Sequence, residues 1–180
     1  MGARKKWVQI AIFAIVLIIG VFTIITNLSA SDSKKYPQQG DKATNFSLVG
    51  LEGETHQLSD YKGKPVLINF WGTFCPPCKE EMPALQRQYD KWSKQGVVFL
   101  EVNVDKNKVT VQGFMDQYKL SLPVLLDAKE VVRKQYGVMD YPTTFFIGAD
   151  GKIVVKKIGQ MTESFIDETL GQLVNKSQNQ

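Results

Sequence analysis

Residues 8–25 contain no charged side chain and consist mainly of large apolar residues. As an α-helix rising about 1.5 Å per residue, such a run comes close to spanning the roughly 30 Å hydrocarbon layer of a membrane. Arg4, Lys5 and Lys6 precede it, and basic residues next to a spanning helix favour the cytoplasmic side. The sequence therefore predicts a cytoplasmic stub and a transmembrane signal-anchor over residues 1–28, with the rest of the chain extracytoplasmic.

A cleaved signal peptide is the alternative interpretation of this segment, because the small residues at 29–31 resemble a cleavage site. Its apolar core would be long compared with the usual stretch of about 7–15 residues, so a retained anchor is favoured. Lipid attachment is not indicated. No cysteine lies near the end of the apolar run, and Lys6 stands where a myristoylation signal has Ser or Thr.

The net charge of +4 does not point to nucleic acid. Arg4, Lys5 and Lys6 account for three of these charges, and no acidic residue occurs before Asp32. The remainder of the chain is thus nearly neutral, whereas a nucleic-acid footprint needs basic residues clustered on one face of a domain. We therefore predict no nucleic-acid partner.

After a polar linker at 29–40, the chain alternates between strand and helix patterns. Short alternating segments around Glu52-Gly53 predict a β-hairpin. The apolar runs at 64–72 and 97–104 predict buried strands, and large apolar residues at helical spacing between them predict a helix. The further predicted elements are a helix over 108–119, a short strand at 123–127, a helix over 129–136, a hairpin with a two-residue turn at Asp150-Gly151, and a last helix capped by Thr162.

This order of elements predicts an α/β sandwich built on one mixed sheet over residues 41–176, followed by a polar tail at 177–180. With 43% hydrophobic residues, a domain of this length can fold around a core without a disulfide. A bond between Cys75 and Cys78 closes only a two-residue loop and removes little entropy from the unfolded chain. A purely structural disulfide is therefore disfavoured.

Cys75 and Cys78, the chain's two cysteines, follow the first buried strand and open the next helix. Pro76 suits the first helical position, where a missing N–H costs nothing. Cys75 then lies at the positive end of the helix dipole, where free backbone N–H groups favour the thiolate, the attacking species. Cys78 is correctly spaced to attack a mixed disulfide on Cys75. The pattern predicts thiol–disulfide exchange with a nucleophile and a resolving thiol.

Metal and haem sites are not predicted. A closed zinc site needs four ligands, and the cysteines plus His56 supply only three. Covalent haem attachment requires histidine where Lys79 stands. Copper(I), which accepts two thiolates, stays as a non-enzymatic alternative in the form of a copper chaperone. No nicotinamide or flavin motif is present, and we predict no cofactor.

Glu81 lies three residues beyond Cys78 on the same face of the predicted helix, whereas Glu80 points roughly 100° away. A carboxyl held near a buried thiol could carry its proton, with a pKa raised by desolvation. The simpler interpretation of both glutamates is complementation of the helix dipole.

Two stretches of this sequence resemble one known family. The first is "LSDYKGKPVLINFWGTFCPPCKEEMPAL" and the second is "YPTTFFIGADGKIV". They are similar to the ResA/TlpA family of membrane-anchored, thioredoxin-like thiol–disulfide oxidoreductases, with the anchor and linker fitting the ResA branch of Gram-positive bacteria. The resemblance covers essentially residues 40–176. It implies a thioredoxin-like fold with an N-terminal β-hairpin and a central insertion that contains the helix near 108–119.

The resemblance also implies roles for single residues. Cys75 would be the exposed nucleophile and Cys78 the resolving thiol, and Glu81 matches the active-site glutamate of the family. Pro142 would follow a cis peptide bond and pack beside the cysteines. The backbone of Tyr141 would be available to pair with a substrate strand.

The chain departs from the family and its relatives at several positions. Phe74 stands where many family members have Trp, and Pro76-Pro77 replaces the Gly-Pro of reducing thioredoxins, which leaves the redox potential open. Asn69 occupies the strand position at which cytoplasmic thioredoxins carry a buried Asp. Glu81 is therefore the expected proton carrier.

The resemblance implies a reductase of disulfides outside the cytoplasmic membrane, with the haem-binding cysteines of apocytochrome c as client during cytochrome c maturation. A transmembrane thiol carrier would supply the electrons. The alternatives are the same chemistry on other envelope or spore-assembly proteins, a disulfide oxidase or isomerase, and a peroxidase. The midpoint potential separates a reductase from a strong oxidant.

Overall fold

The computed structural model describes residues 2–29 and 36–178, in two units divided between Lys35 and Tyr36. Residues 30–35 of the predicted linker and 179–180 of the predicted tail lie outside the described residues. The first unit consists of helix α1 (Ala3–Ser29). Its segment Lys6–Ile24 is long and apolar enough to cross a membrane, and its large side chains are exposed. The helix is a candidate single transmembrane segment.

The second unit is built on one seven-stranded mixed sheet with the strand order β2-β1-β5-β4-β3-β6-β7. β3 pairs in parallel with β4, and β4 with β5, while the other neighbours are antiparallel. This arrangement confirms the predicted mixed sheet. The strands are β1 (Ser47–Gly50), β2 (Thr55–Gln57), β3 (Val66–Trp71), β4 (Val98–Asn103), β5 (Val124–Leu126), β6 (Thr143–Ile147) and β7 (Ile153–Ile158).

Two helices of this unit begin at a polar residue whose side chain accepts a hydrogen bond from a backbone N–H of the first turn. The Asn107 side chain accepts a hydrogen bond from the Val109 N–H at 2.8 Å. Thr162 Oγ1 accepts from the Phe165 N–H at 3.3 Å, which confirms the predicted cap of the last helix. The helices are α2 (Pro76–Trp92), α3 (Lys108–Tyr118), α4 (Val131–Gln135) and α5 (Glu163–Gln178), with 3-10 turns at Leu58–Tyr61 and Ser93–Gln95.

A separate hydrophobic core lies on each face of the sheet. α2, α3 and α5 contribute to the core that contains both cysteines, and α4 contributes to the other. Side chains alternate between the two faces of a strand, so β3, which is buried at every position, supplies both cores. Leu67 and Trp71 belong to the core that contains the cysteines, which directs Asn69 toward the same face. The central strand thereby carries one polar side chain beneath α2.

The turn between β6 and β7 differs from the predicted two-residue turn at Asp150-Gly151. The Gly151 N–H donates to Gly148 O at 2.8 Å, and the Gly148 N–H donates to Lys152 O at 2.9 Å. Gly151 has a left-handed backbone with a φ of 77°. The hairpin therefore closes through a three-residue loop in which a turn is followed by a left-handed glycine. The position of the turn was correctly predicted from Gly151, but the predicted loop length of two residues was wrong.

Candidate active site

Cys75 and Cys78 form a disulfide at the start of α2, with their Cα atoms 5.3 Å apart. Cys75 is the N-cap residue, and its sulfur accepts a hydrogen bond from the Cys78 N–H at 3.2 Å. This is the geometry that the sequence predicted, since unpaired N–H groups at a helix start stabilise negative charge on the capping atom. Cys75 is 6% exposed and Cys78 is fully buried. An incoming group can therefore reach Cys75 more easily.

The loop before Cys75 is held by Asp105, a residue that the sequence interpretation did not identify. The Thr73 N–H donates to Asp105 Oδ2 and the Thr73 hydroxyl to Oδ1, both at 2.8 Å. Asn103 Nδ2 donates to the same carboxyl at 2.8 Å. Because Asn103 ends β4, these bonds tie the cysteine loop to the end of the neighbouring strand. Nothing in the sequence pattern links residues so far apart in the chain.

Glu81 lies on the buried face of α2, one helical turn past Cys78, and is 1% exposed. Its Oε1 accepts from Asn69 Nδ2 and its Oε2 from the Met161 N–H, both at 3.0 Å. Burial raises the pKa of Glu81 from its ordinary 4.5 to about 7, although the two hydrogen bonds oppose the shift. Glu80 is exposed. The carboxyl predicted as proton carrier is thus buried, accepts a hydrogen bond on each oxygen and has a pKa raised toward neutral.

A second buried carboxyl, Glu101, was missed by the sequence interpretation. It is fully buried on β4, and neither carboxyl oxygen has a hydrogen-bond partner among the described residues. Burial raises its pKa well above the ordinary range, and the charge of Glu81 raises it further. The Asn69 side chain lowers the pKa of Glu101, but it does not form a hydrogen bond with either Glu101 oxygen. The available signal was a glutamate inside the apolar run at 97–104.

The Tyr141–Pro142 peptide bond is cis, in agreement with the resemblance. Tyr141 packs against the core that includes both cysteines, and its ring meets that of Phe74 edge-on at 5.9 Å between centroids. Phe74, next to Cys75, is 61% exposed. An open cleft of about 480 Å³ begins at this aromatic pair and is lined by Phe74, Val104, Asp105, Lys106, Glu130, Arg133 and Tyr141.

The structure does not bring His56 to the cysteines. His56 lies on β2, which three strands separate from β3 in the sheet, and its Nδ1 is 2.6 Å from the Tyr61 hydroxyl. Within residues 2–29 and 36–178, no group of three or more His, Cys, Asp or Glu side chains could hold a metal ion. Among the described residues, the cysteines therefore have no histidine beside them as a possible metal ligand.

Comparison with known proteins supports this chemistry. A sequence model of the AhpC/TSA family matches residues 39–156. The thiol-disulfide oxidoreductase ResA of Halalkalibacterium halodurans is 39% identical over 169 residues, which is 93% of this chain and 95% of that protein. ResA of Bacillus subtilis is 39% identical over 165 residues, or 92% of this chain and 91% of that protein.

The chain belongs to the ResA family of thiol-disulfide oxidoreductases. Solved structures agree with this assignment. StoA of Bacillus subtilis is 33% identical, with a TM-score of 0.63 over 70% of this chain and 96% of that one. A thiol:disulfide interchange protein of the thioredoxin family from Chlorobium tepidum is 26% identical, with a TM-score of 0.67 over 78% of this chain and 99% of that one.

These findings confirm three predictions for this ResA-family chain. The fold is thioredoxin-like, the protein is a thiol-disulfide oxidoreductase, and its disulfide-forming pair is Cys75 and Cys78. The two sulfurs of this pair differ in exposure and in their relation to the helix start, so they are chemically distinct.

Proposed function

We propose that this protein reduces disulfides of extracytoplasmic client proteins, with Cys75 as the attacking thiolate and Cys78 as the resolving thiol. The observation that carries the assignment is the capping geometry. The Cys75 sulfur accepts the Cys78 N–H at the helix start and is the more exposed of the two. The related proteins named above are thiol-disulfide oxidoreductases. Their activity favours exchange over the peroxidase alternative.

The reaction proceeds through two exchanges. The Cys75 thiolate attacks one sulfur of the client disulfide, that bond breaks, and the other client sulfur leaves as a thiolate that takes up a proton. Cys78 then loses its proton and attacks Cys75 Sγ in the mixed disulfide. The bond between Cys75 and the client breaks as the Cys75–Cys78 disulfide forms, and the second client sulfur leaves as a thiolate. Two electrons pass from the enzyme to the client. One proton comes from the solvent when the first client thiolate is released, and the second corresponds to the proton that Cys78 gives up.

Glu81 acts as the proton acceptor for Cys78 in the second exchange. It lies one turn from Cys78 on the same helix, and its pKa of about 7 lets it take and release a proton near neutral pH. The Asn69 and Met161 hydrogen bonds hold the carboxyl in place while burial keeps it away from bulk water. Glu80, which is exposed, has no part in this step.

The client binds against Tyr141 and Pro142, with the Tyr141 backbone pairing to an extended client segment. The exposed Phe74 ring and the cleft beside it offer apolar surface for side chains next to the client cysteines. Following the family resemblance, the client is apocytochrome c with its haem-binding cysteines oxidised. Other envelope or spore-assembly proteins are the alternative clients.

Helix α1 anchors the protein in the cell membrane, and the catalytic domain is extracytoplasmic. This orientation is supported by the basic residues in the first turn of the helix, which favour the cytoplasmic side. A transmembrane thiol carrier then returns the Cys75–Cys78 disulfide to the reduced form. The direction of net transfer is testable. A midpoint potential near that of thioredoxin, about −270 mV, supports a reductase, whereas one near about −120 mV supports an oxidant.

The roles of the two cysteines are tested by trapping. Reduced full-length Cys78→Ala, incubated with apocytochrome c in its disulfide form, should accumulate a mixed disulfide that dithiothreitol cleaves. Cys75→Ala should accumulate none, because its remaining thiol is fully buried. Trapping by Cys75→Ala instead would reverse the assignment. No trapping of apocytochrome c by either variant, with trapping of another envelope protein by Cys78→Ala, would move the proposal to the alternative clients.

A further inference from the structure

Glu101 is a buried carboxyl that the exchange steps above do not use. It is fully buried on β4 and is the direct Cα partner of Asn69 on β3. Because the strands are parallel and in register, the two side chains project from the same face of the sheet. That face is covered by α2, from which Glu81 reaches Asn69. Glu101 is thus a neighbour of the residue that holds the proposed proton carrier.

Buried polar atoms near Glu101 lack partners. Both Glu101 oxygens and Asn69 Oδ1 are buried without a hydrogen bond to any described residue. An ionised carboxylate and an amide oxygen are both acceptors, so they cannot satisfy each other. A neutral carboxylic acid has an O–H to donate. The terminal torsion of glutamate is soft, so the direction of this O–H is not fixed by the backbone.

We propose that Glu101 is a positioning residue that stays a neutral acid during turnover and donates its O–H to Asn69 Oδ1. This bond fixes the Asn69 amide with Nδ2 directed at Glu81 Oε1, where the observed distance is 3.0 Å. Met161 holds the other oxygen of Glu81. Glu101 thereby sets how readily Glu81 gives up its proton. The inference rests on the proposed role of Glu81.

The surroundings of Glu101 favour its neutral form. Its strand neighbours are Asn69 on β3 and Val124 on β5, neither of which ionises. From the helix above, Glu81 faces it as a negative charge when ionised, and the Cys78 thiol joins that helix face after reduction. No described cation neutralises it. Burial penalises its charged form, and this outweighs the Asn69 side chain, which lowers the pKa of Glu101. Ionising Glu101 beside an ionised Glu81 would place two like charges in the same core.

Thr144 is a competing donor to Asn69. It is the β6 partner of Asn69, and its Oγ1 is also buried without a partner among the described residues. The Trp71 Nε1–H, two residues along β3 on the same face, is another buried donor without such a partner. If Thr144 served Asn69 Oδ1, the Glu101 O–H would remain buried and unsatisfied, which is the costlier outcome for a carboxylic acid. The desolvation cost therefore favours Glu101 as the donor, and Thr144→Val provides a matched control on the opposite side of Asn69.

The protonation of Glu101 can be measured directly. Infrared spectra of the oxidised full-length protein in detergent at about pH 9, where ordinary carboxyls are ionised, should show a protonated carboxyl C=O band. The band should persist in Glu81→Gln and disappear in Glu101→Gln. Absence of the band, or its persistence in Glu101→Gln, would overturn the inference. This readout does not depend on catalytic activity.

The positioning role is measured by the pH profile of disulfide exchange. Glu101→Leu removes the donor and should raise the midpoint assigned to Glu81 by about one pH unit, while Glu101→Gln, which keeps a donor, should restore it. Thr144→Val should leave the midpoint in place. In an Asn69→Leu background, Glu101→Leu should add no further shift, because the two residues act through one bond.

The outcomes separate this inference from the proposed function. If Glu81→Gln flattens the pH profile of disulfide exchange and Glu101→Leu leaves it unchanged, only the positioning role of Glu101 is overturned. A shift in Thr144→Val with none in Glu101→Leu transfers the role to Thr144 and also overturns it. A profile unaffected by Glu81→Gln removes the role of Glu81 itself, and with it the consequence of the Asn69 bond. Thermal unfolding of each variant confirms that it is folded.

Discussion

Replacing Glu81 by Gln should stabilise the oxidised protein above about pH 7 and destabilise it by about 1 kcal/mol near pH 4.5, where only the loss of one hydrogen bond counts. In the folded protein the pKa of Glu81 is about 7, against its ordinary 4.5, because the carboxyl is buried. Between these pH values the folded chain keeps a proton that the unfolded chain has released. Stability from this group is therefore complete at low pH and is lost as the pH rises through about 7.

The size of the effect follows from the shift. At about 1.36 kcal/mol per pH unit, a rise from 4.5 to about 7 corresponds to about 3 kcal/mol of destabilisation once Glu81 is ionised. Glutamine resembles the protonated acid in shape and carries no charge. It can accept from Asn69 or Met161 with its single oxygen but not from both, which costs about 1 kcal/mol. The expected net gain of Glu81→Gln near pH 8 is about 2 kcal/mol.

Urea unfolding of the oxidised full-length protein in a mild detergent measures this difference. Fluorescence from Trp71 and Trp92, both buried in the folded domain, reports the transition, and the free energy is extrapolated linearly at each pH. Glu80→Gln removes the same charge one residue away at an exposed position. This control should differ from the native protein by less than about 0.5 kcal/mol throughout.

The diagnostic result is the shape of the curve and not its height. The stability of Glu81→Gln minus that of the native protein should rise with pH between about 4.5 and 7 and then level off. A difference that stays constant over this range would show that the Glu81 carboxyl ionises like an ordinary surface group. Burial would then not make Glu81 a proton carrier near neutral pH, and its proposed role in the second exchange would be refuted.

The same unfolding assay checks two further substitutions. Gly137→Ala should destabilise the protein more than Gly96→Ala. Both glycines have a positive φ, which costs an alanine about 1 kcal/mol. At Gly137 the new Cβ would also collide with the Tyr36 side chain, whereas at Gly96 it would meet no atom within 4 Å. Equal losses would show that this crowding is relieved at no cost. Tyr136→Phe should lose about 1 kcal/mol, because the Tyr136 hydroxyl donates to Thr44 O at 2.6 Å inside the protein, and an unchanged stability would count against a net contribution from that bond.

Most of the fold could be predicted because its signals are local. The apolar runs that became β3 and β4 are buried on both faces, so they appear as continuous hydrophobic stretches. Thr162 marks the start of α5 through its own side chain. The loop between β6 and β7 was predicted less well, because the turn type depends on the backbone of Gly148 as well as on the Asp150-Gly151 pair.

Only the site residues on helix α2 could be placed together from the sequence. Cys75, Cys78 and Glu81 are related by helical spacing, so their positions in the sequence are enough to place them together. Asp105 and Glu101 reach the site through strand pairing, which no spacing rule along the chain reveals. A glutamate within a predicted buried strand still carries information, since charged side chains are seldom fully buried without a partner.

The buried carboxyl of Glu81 is on helix α2, whereas the facing position on strand β3 is the uncharged Asn69. This placement has a mechanical consequence. Cys78 and Glu81 belong to the same helix, so their separation is set by its pitch of about 5.4 Å per turn. Asn69 is uncharged and connects the Glu81 carboxyl to the sheet, while the Met161 N–H connects it to the segment before α5. A movement of α2 as a rigid helix would therefore carry the thiol and the carboxyl together, and it would lengthen the hydrogen bonds from Asn69 and Met161 before it changed the distance between Cys78 and Glu81.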